Sequence, residues 1–297
     1  MPEGPGQMFQ IAASHHKFSL GSLSTSISES TFWVVLIYGL FINLQNYGID
    51  QNYVQRYMTT KTEKQAKRSA LFGSLLYVPV SLVFFFIGTA LFSFFSAQPD
   101  LLPATLKDAA MADKIFPYFM VIGLPKGLTG LLIASVFAAG MSTVSTSING
   151  TATIIHTDYF KRYFIRRSSE KSSMDVLYIA SVLIGYAGVG VALAMIKVKS
   201  ALDAWWTLAS IFSGGMLGLF LLGYFARNVQ KIYAAIGVAT GILVIFWLSI
   251  SPLYFNQGNW VRFRSPFHAN LTIVIGTTVI FLIGFMLTGL RHLSRKK

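Results

Sequence analysis

Cysteine is absent from the 297-residue chain, which excludes disulfides, iron–sulfur ligation and thiol chemistry. Charge is scarce as well: 12% of residues are charged, against about a quarter in a soluble domain. Acidic residues are the scarcest, 11 against 24 basic ones. None falls at the centre of an apolar block; Asp50, Asp158, Asp175 and Asp203 stand at block ends. The chain therefore shows no intramembrane carboxylate of the kind that proton-driven carriers often keep. Residues 1–30 have no apolar core behind a basic region and do not form a signal peptide. No nucleophile motif, phosphate loop or pair of catalytic carboxylates is present, and His15, His16, His156, His268 and His292 lack metal-ligand spacing within an apolar helix. The expectation is a protein that is not an enzyme and has no organic cofactor.

What is abundant is apolar surface, with 54% hydrophobic residues and a mean hydropathy of +0.58. A spanning helix needs roughly 20 mostly apolar residues, and about seven such blocks occur, near 31–49, 71–96, 127–148, 174–196, 203–227, 231–250 and 268–290. The composition predicts an all-α multi-pass membrane protein with the lipid bilayer as its partner. The net charge of +13 would point to nucleic acid in a soluble protein. Here the basic residues sit between apolar blocks, so topology and anionic headgroups account for them, and no nucleic-acid partner is expected. Arg56, Lys61, Lys64, Lys67 and Arg68 begin one set of connections, continued at 161–171, 227–231 and 291–297. The alternate connections carry roughly half as many basic residues, which places the N-terminus outside and the C-terminus in the cytoplasm. The longest connection, 97–126, is broken by Pro99, Pro103, Pro117 and Pro125, with room for a short external helix over 112–122.

Two stretches are too polar for ordinary spans. In Gly130 to Asp158, residues Ala139, Ser142, Thr143, Thr146 and Asn149 share one helical face. Hydroxyls and carbonyls there could hold a sodium ion without a buried carboxylate. The same residues also suit close helix packing, since small residues, Ser and Thr are common at membrane helix interfaces. The first block ends in Asn43, Gln45, Asn46, Tyr47 and Gly48 before a short amphipathic stretch. That pattern fits a broken helix whose freed backbone lines a cavity, and equally a span that stops at Gln45 before a cytoplasmic loop. Gly214 to Gly218 and Gly237 to Gly241 repeat a G-x-x-x-G spacing that signals close helix packing.

The run VFAAGMSTVSTSINGTATIIHTDYF resembles the eighth core helix of the sodium:solute symporter family. The resemblance implies that Ala139 gives a carbonyl, and Ser142 and Thr143 hydroxyls, to a sodium site. Alanine at 139, where some members place a hydroxyl, departs from the pattern for a second sodium. The stretch around Tyr47-Gly48-Ile49-Asp50-Gln51, with Val54-Gln55-Arg56-Tyr57, is similar to the sixth core helix, nearest the monocarboxylate, multivitamin and sialic-acid branch. By that likeness Asn43 faces substrate and Tyr47 and Gln51 neighbour the cavity. Asn46 replaces the gating tyrosine of sugar carriers, and Asp50 and Arg56 fall in a structural or gating network. The segment from Asp203 resembles the tenth core helix, with Trp206 where sugar carriers have a substrate-binding glutamine; both departures disfavour a simple sugar. Trp205 fits an interface position.

The resemblance implies a LeuT-like inverted-repeat fold in partial form, the second repeat plus C-terminal helices. Residues 1–30 are then an external segment and 31–290 the transmembrane domain (second core repeat 31–227, extra helices 231–290), with 291–297 a cytoplasmic tail. The first repeat, an N-terminal half that would supply further sodium and substrate contacts, is expected to be missing from this chain. The chain alone is accordingly expected not to catalyse coupled uptake. The implied activity is sodium-coupled symport of a small organic solute, an organic anion by the local likeness, across the plasma membrane by alternating access. A membrane sensor module and an uncoupled solute channel are the alternatives.

Overall fold

The computed structural model describes the chain apart from residues 165–168, 197–200, 227–228, 256–257 and 295–297. Side chains at 109–110, 201–204, 206–207, 210–212, 253, 258–259 and 291–294 also lie outside the described set. Among the described residues every regular element is helical. The α-helices are α1 (Pro5–Ser14), α2 (Phe32–Ile49), α3 (Gln51–Met58), α4 (Glu63–Ala97), α5 (Ile115–Ile122), α6 (Lys126–Ile154), α7 (Glu170–Met195), α8 (Ala201–Phe225), α9 (Lys231–Tyr254) and α10 (Leu271–Ser294). Among the described residues, six helices are long and apolar enough to cross a membrane: α2, α4, α6 with its continuation to Phe164, α7, α9 and α10. The remaining block, 203–227, falls on α8, whose described apolar part is Ser213–Phe225. Phe72, Leu82, Phe84 and Phe85 of α4 are largely exposed, a face that suits acyl chains and not water.

Several helices are longer than hydropathy alone predicts, and local chemistry explains each extension. Helix α4 starts at Glu63 instead of near 71 because the Thr62 hydroxyl caps it, accepting from the Gln65 amide at 3.3 Å. Thr62 and Gln65 have capping-box spacing, and Glu63 pairs with Lys67 one turn on at 2.7 Å. Part of the expected basic loop is thus the exposed first turns of a helix. Helix α6 passes at Ile155 into a π-helical stretch ending at Phe164, so the element runs well beyond the apolar block. Residues 1–30, which carry no spanning pattern, contain α1, opened by Pro5 at its first position.

The chain divides into two compact units: Met1–Lys17 with Gln55–Ala201, and Phe18–Val54 with Leu202–Lys297. In the first, α1 lies on α4, buries Met8 and Ala12, and its Met8 carbonyl accepts the buried Ser93 hydroxyl at 3.1 Å. Lys17 sits 4.1 Å over the Phe92 ring. Phe94 and Phe95 of α4 meet Phe119 of α5 edge-on, and α6 packs on α7.

In the second unit α10 is central, packed on α9 and on α2. Glycines set the approach. A Cβ at Gly218 would lie 2.7 Å from the Thr277 carbonyl oxygen, and one at Gly241 would strike Ile280. The Thr277 hydroxyl donates to the Gly214 carbonyl at 3.1 Å, joining α10 to α8 where neither group meets solvent. The G-x-x-x-G pairs therefore act in close packing. At the start of α10 the His268 amide donates to the Ile27 carbonyl at 2.8 Å, and the buried Thr31 caps α2 through the Val34 amide. Because the obstacle at Gly218 is backbone, it cannot rotate aside. Gly218→Ala should destabilise this unit by about 1–3 kcal/mol, whereas Gly223→Ala, with open space around it, should be neutral or better; thermal unfolding in detergent checks both.

Candidate functional site

Helix α2 continues through the amide-rich stretch and ends at Ile49, not at Gln45. The break comes at Asp50, whose backbone is extended (φ −72°, ψ 123°) between two helices. Its own amide donates to the Gln45 carbonyl at 3.2 Å, and its carbonyl accepts the first amides of α3, from Tyr53 at 3.1 Å and Val54 at 2.9 Å. The carboxylate Oδ1 accepts the Asn52 amide at 2.8 Å, an N-cap for α3. The acidic residue that closes the block thus begins the next helix, and the backbone freed by the break is satisfied locally, as a break at membrane depth requires.

Beside this break, within the second unit, α2 and α8 enclose a groove of about 410 Å³. Gln45, Asn46, Asp50 and Ser213 give its polar lining, and Ile42, Trp205, Leu208 and Ala209 its apolar lining. Gln45 is 4% exposed, and its side-chain carbonyl is buried without a hydrogen-bond partner. Of the sequence-predicted substrate residues, Asn46 lines the groove. Asn43 points elsewhere: it is exposed and its amide donates to the Gly39 carbonyl at 2.7 Å. Tyr47 packs on Tyr53, ring centroids 5.1 Å apart, and Gln51 is the half-buried first residue of α3. The Trp206 side chain lies outside the described residues, while Trp205, expected at an interface, lines the groove. Gln45 and Ser213 were not anticipated. The signal for Gln45 was its spacing from Val34 and Tyr38, which are the other buried residues of α2.

In the first unit, α6 meets its polar burden by bonding to itself. The Thr143 hydroxyl donates to the Ala139 carbonyl at 3.0 Å, Thr146 to Ser142 at 2.8 Å, Thr151 to Ser147 at 2.8 Å and Thr153 to Asn149 at 2.8 Å. A hydroxyl whose hydrogen is committed to its own helix turns lone pairs outward. Two predicted ligand oxygens, Ala139 O and Thr143 Oγ1, are therefore adjacent, and Ala139, Ser142 and Thr143 are all exposed within this unit. Oxygens 3.0 Å apart can both reach a single hard cation at about 2.3–2.6 Å, the range for an ion of calcium's size. The Ala139 carbonyl already accepts the Thr143 hydroxyl. Thr143 also borders a groove of about 440 Å³ against α7, with Ser147 and Thr151 one and two turns on and Gly185 and Gly188 opposite. The sequence reading missed that second hydroxyl row, although its four-residue spacing is visible.

Across residues 7–241 the sequence matches the profile of the "Sodium:solute symporter family". The chain belongs to that family. Among curated relatives, it is 29% identical over 271 residues to the sodium/sialic acid symporter NanT of Aliivibrio fischeri, covering 91% of this chain and 50% of that protein. It is 31% identical over 245 residues to the sodium/sialic acid symporter SiaT of Proteus mirabilis, 82% of this chain and 49% of that one. Its identity with the sodium-dependent multivitamin transporter of Oryctolagus cuniculus is 28%, over 93% of this chain and 44% of the relative. Among solved structures, a Na⁺-coupled sialic acid symporter in a substrate-bound outward-open state superposes with a TM-score of 0.79 at 27% identity, covering 97% of this chain and 56% of that one. The chain spans about half the length of the curated relatives it matches. In this symporter-family chain, Asp50→Ala should cost about 1 kcal/mol by uncapping α3. Amide exchange should accelerate over 51–54, while Asp50→Asn, which keeps an acceptor, should stay near wild type.

Proposed function

We propose that this chain supplies the sodium-binding helix and part of the solute pocket of a secondary symporter that couples inward sodium flow to uptake of a small organic solute. Ala139, Ser142 and Thr143 are the assigned sodium ligands. The groove between α2 and α8, with Asn46 on its wall, is assigned to the solute. The sialic acid and monocarboxylate symporters among the relatives, together with the departures from sugar carriers at Asn46 and Trp206, favour an organic anion. The observation that carries the reading is the pairing of Thr143 Oγ1 with the Ala139 carbonyl on a helix that matches the family.

Neutral oxygen ligands suit this role. A carboxylate buried at mid-membrane would demand a partner in every state of the cycle. Hydroxyls and carbonyls attract a monovalent cation while their hydrogens stay bonded within their own helix, as that of Thr143 is here. Sodium binding from outside stabilises the outward-open arrangement, solute then binds, and the joint occupancy shifts the population towards the inward-open state. The gradient supplies the energy, so no nucleotide is required. The protein resides in the plasma membrane with its C-terminus in the cytoplasm, in line with the basic connections at 61–68 and 161–171.

Sodium activation of solute uptake by the full gene product in proteoliposomes tests the assignment. Ser142→Ala and Thr143→Val should each raise the half-saturating sodium concentration about tenfold or more, the loss of one ligand interaction of about 1.4 kcal/mol. Thr143→Ser should retain near-normal activation. Unchanged sodium dependence in both hydroxyl-deleting variants refutes the site.

A further inference from the structure

The geometry points to Gln45 as the residue that selects the solute, by accepting a hydrogen bond from a hydroxyl or amide N–H that the solute carries. The inference rests on the assignment of the α2–α8 groove to the solute. It goes further by naming which chemical feature the groove recognises and which residue recognises it.

A glutamine 4% exposed, with its carbonyl oxygen buried and unpartnered, is a group that folding alone leaves unsatisfied. The helix backbone cannot help, because an acceptor gains nothing from the carbonyls one turn earlier. Asn46 and Ser213 share the groove, yet neither bonds it. Within this chain the open place beside that carbonyl is the groove, and whatever enters to satisfy it must bring a donor. Charge narrows the choice. The groove contains the Asp50 carboxylate and, among the described residues, no lysine, arginine or histidine. A carboxylate entering here would face a like charge with no cation to offset it, whereas a hydroxyl or amide N–H meets acceptors. The acid function of an organic anion must then be held away from this groove, and its donor-bearing end is what Gln45 contacts. A polyhydroxylated or N-acylated acid meets that demand. A short, unfunctionalised monocarboxylate does not, and its presence would leave the Gln45 carbonyl unsatisfied. Sites built to hydrogen-bond a ligand reject analogues lacking the group far more strongly than apolar pockets discriminate by size.

The test compares inhibition of sodium-driven uptake by a sialic acid, which carries hydroxyl and amide donors, and by propionate, which has none beyond its acid group. It uses the full gene product in proteoliposomes as wild type, Gln45→Met and Gln45→Leu. Methionine keeps the length and flexibility of the side chain without the acceptor; leucine also removes the acceptor and adds no charge beside Asp50. Wild type should prefer the sialic acid. Either variant should reduce that preference about tenfold or more, the scale of one lost hydrogen bond. A preference unaltered in either variant while sodium-driven uptake persists overturns this inference and leaves the transport reading intact. Should Gln45→Met fail to fold, the Gln45→Leu result decides. Absence of sodium-driven accumulation in wild type overturns the transport reading and this inference with it.

Discussion

The structure depends on one constraint: polar groups on helices of membrane length have no water to turn to and must be satisfied by the protein itself. Helix α6 obeys it through a ladder of threonine hydroxyls, each donating to the carbonyl four residues earlier. The ladder consumes donors and leaves acceptors. A helix that is merely polar would need partners all round. One whose hydroxyl hydrogens are internally spent presents lone pairs only, and a sodium ion is a fitting guest for lone pairs. Structural economy and ion chemistry thus come from the same bonds. Ser142 stands apart, since its hydroxyl makes no hydrogen bond among the described residues while its carbonyl accepts Thr146.

The same constraint shapes α2 in the opposite manner. Its break at Asp50 is closed by the carboxylate cap, by the bond from the Asp50 amide back to Gln45 and by the amides of α3. The backbone at the break is satisfied in this way, while the side-chain carbonyls of Gln45 and Asn52 stay buried without a partner, and of the two Gln45 lines the groove. Around α10 the constraint appears as packing: glycines bring backbones close enough for Thr277 to reach the Gly214 carbonyl, and Ile280 fills the space that side chains at Gly218 and Gly241 would otherwise take.

Much of this was legible in the residues. Hydropathy located the spans because a helix must bury or lipidate its whole circumference, and the short helix expected within 112–122 is α5, Ile115–Ile122. The glycine pairs announced close packing. Hydropathy failed at ends, where capping replaces burial as the deciding force; Thr62 and Gln65 start α4 among charged residues that no apolar window includes. It also missed α1, which is amphipathic and gains its stability from α4. Within the site, family likeness brought out Asn46 and the α6 oxygens. Gln45 shares a face with Val34 and Tyr38, a spacing visible in the sequence, but that this face is the buried one needed the fold; Asn43 sits about 160° round the helix and bonds its own backbone.

The absence of cysteine offers a direct test of the central claim, that the α6 oxygens face a water-accessible cation site. A single Ser142→Cys substitution in this background should react with a membrane-impermeant methanethiosulfonate reagent. Sodium at ten times the dissociation constant of the cysteine variant itself should slow that reaction about tenfold, and an equal concentration of N-methylglucamine should not. Labelling only by a lipid-soluble thiol reagent, or a rate indifferent to sodium, would contradict the account.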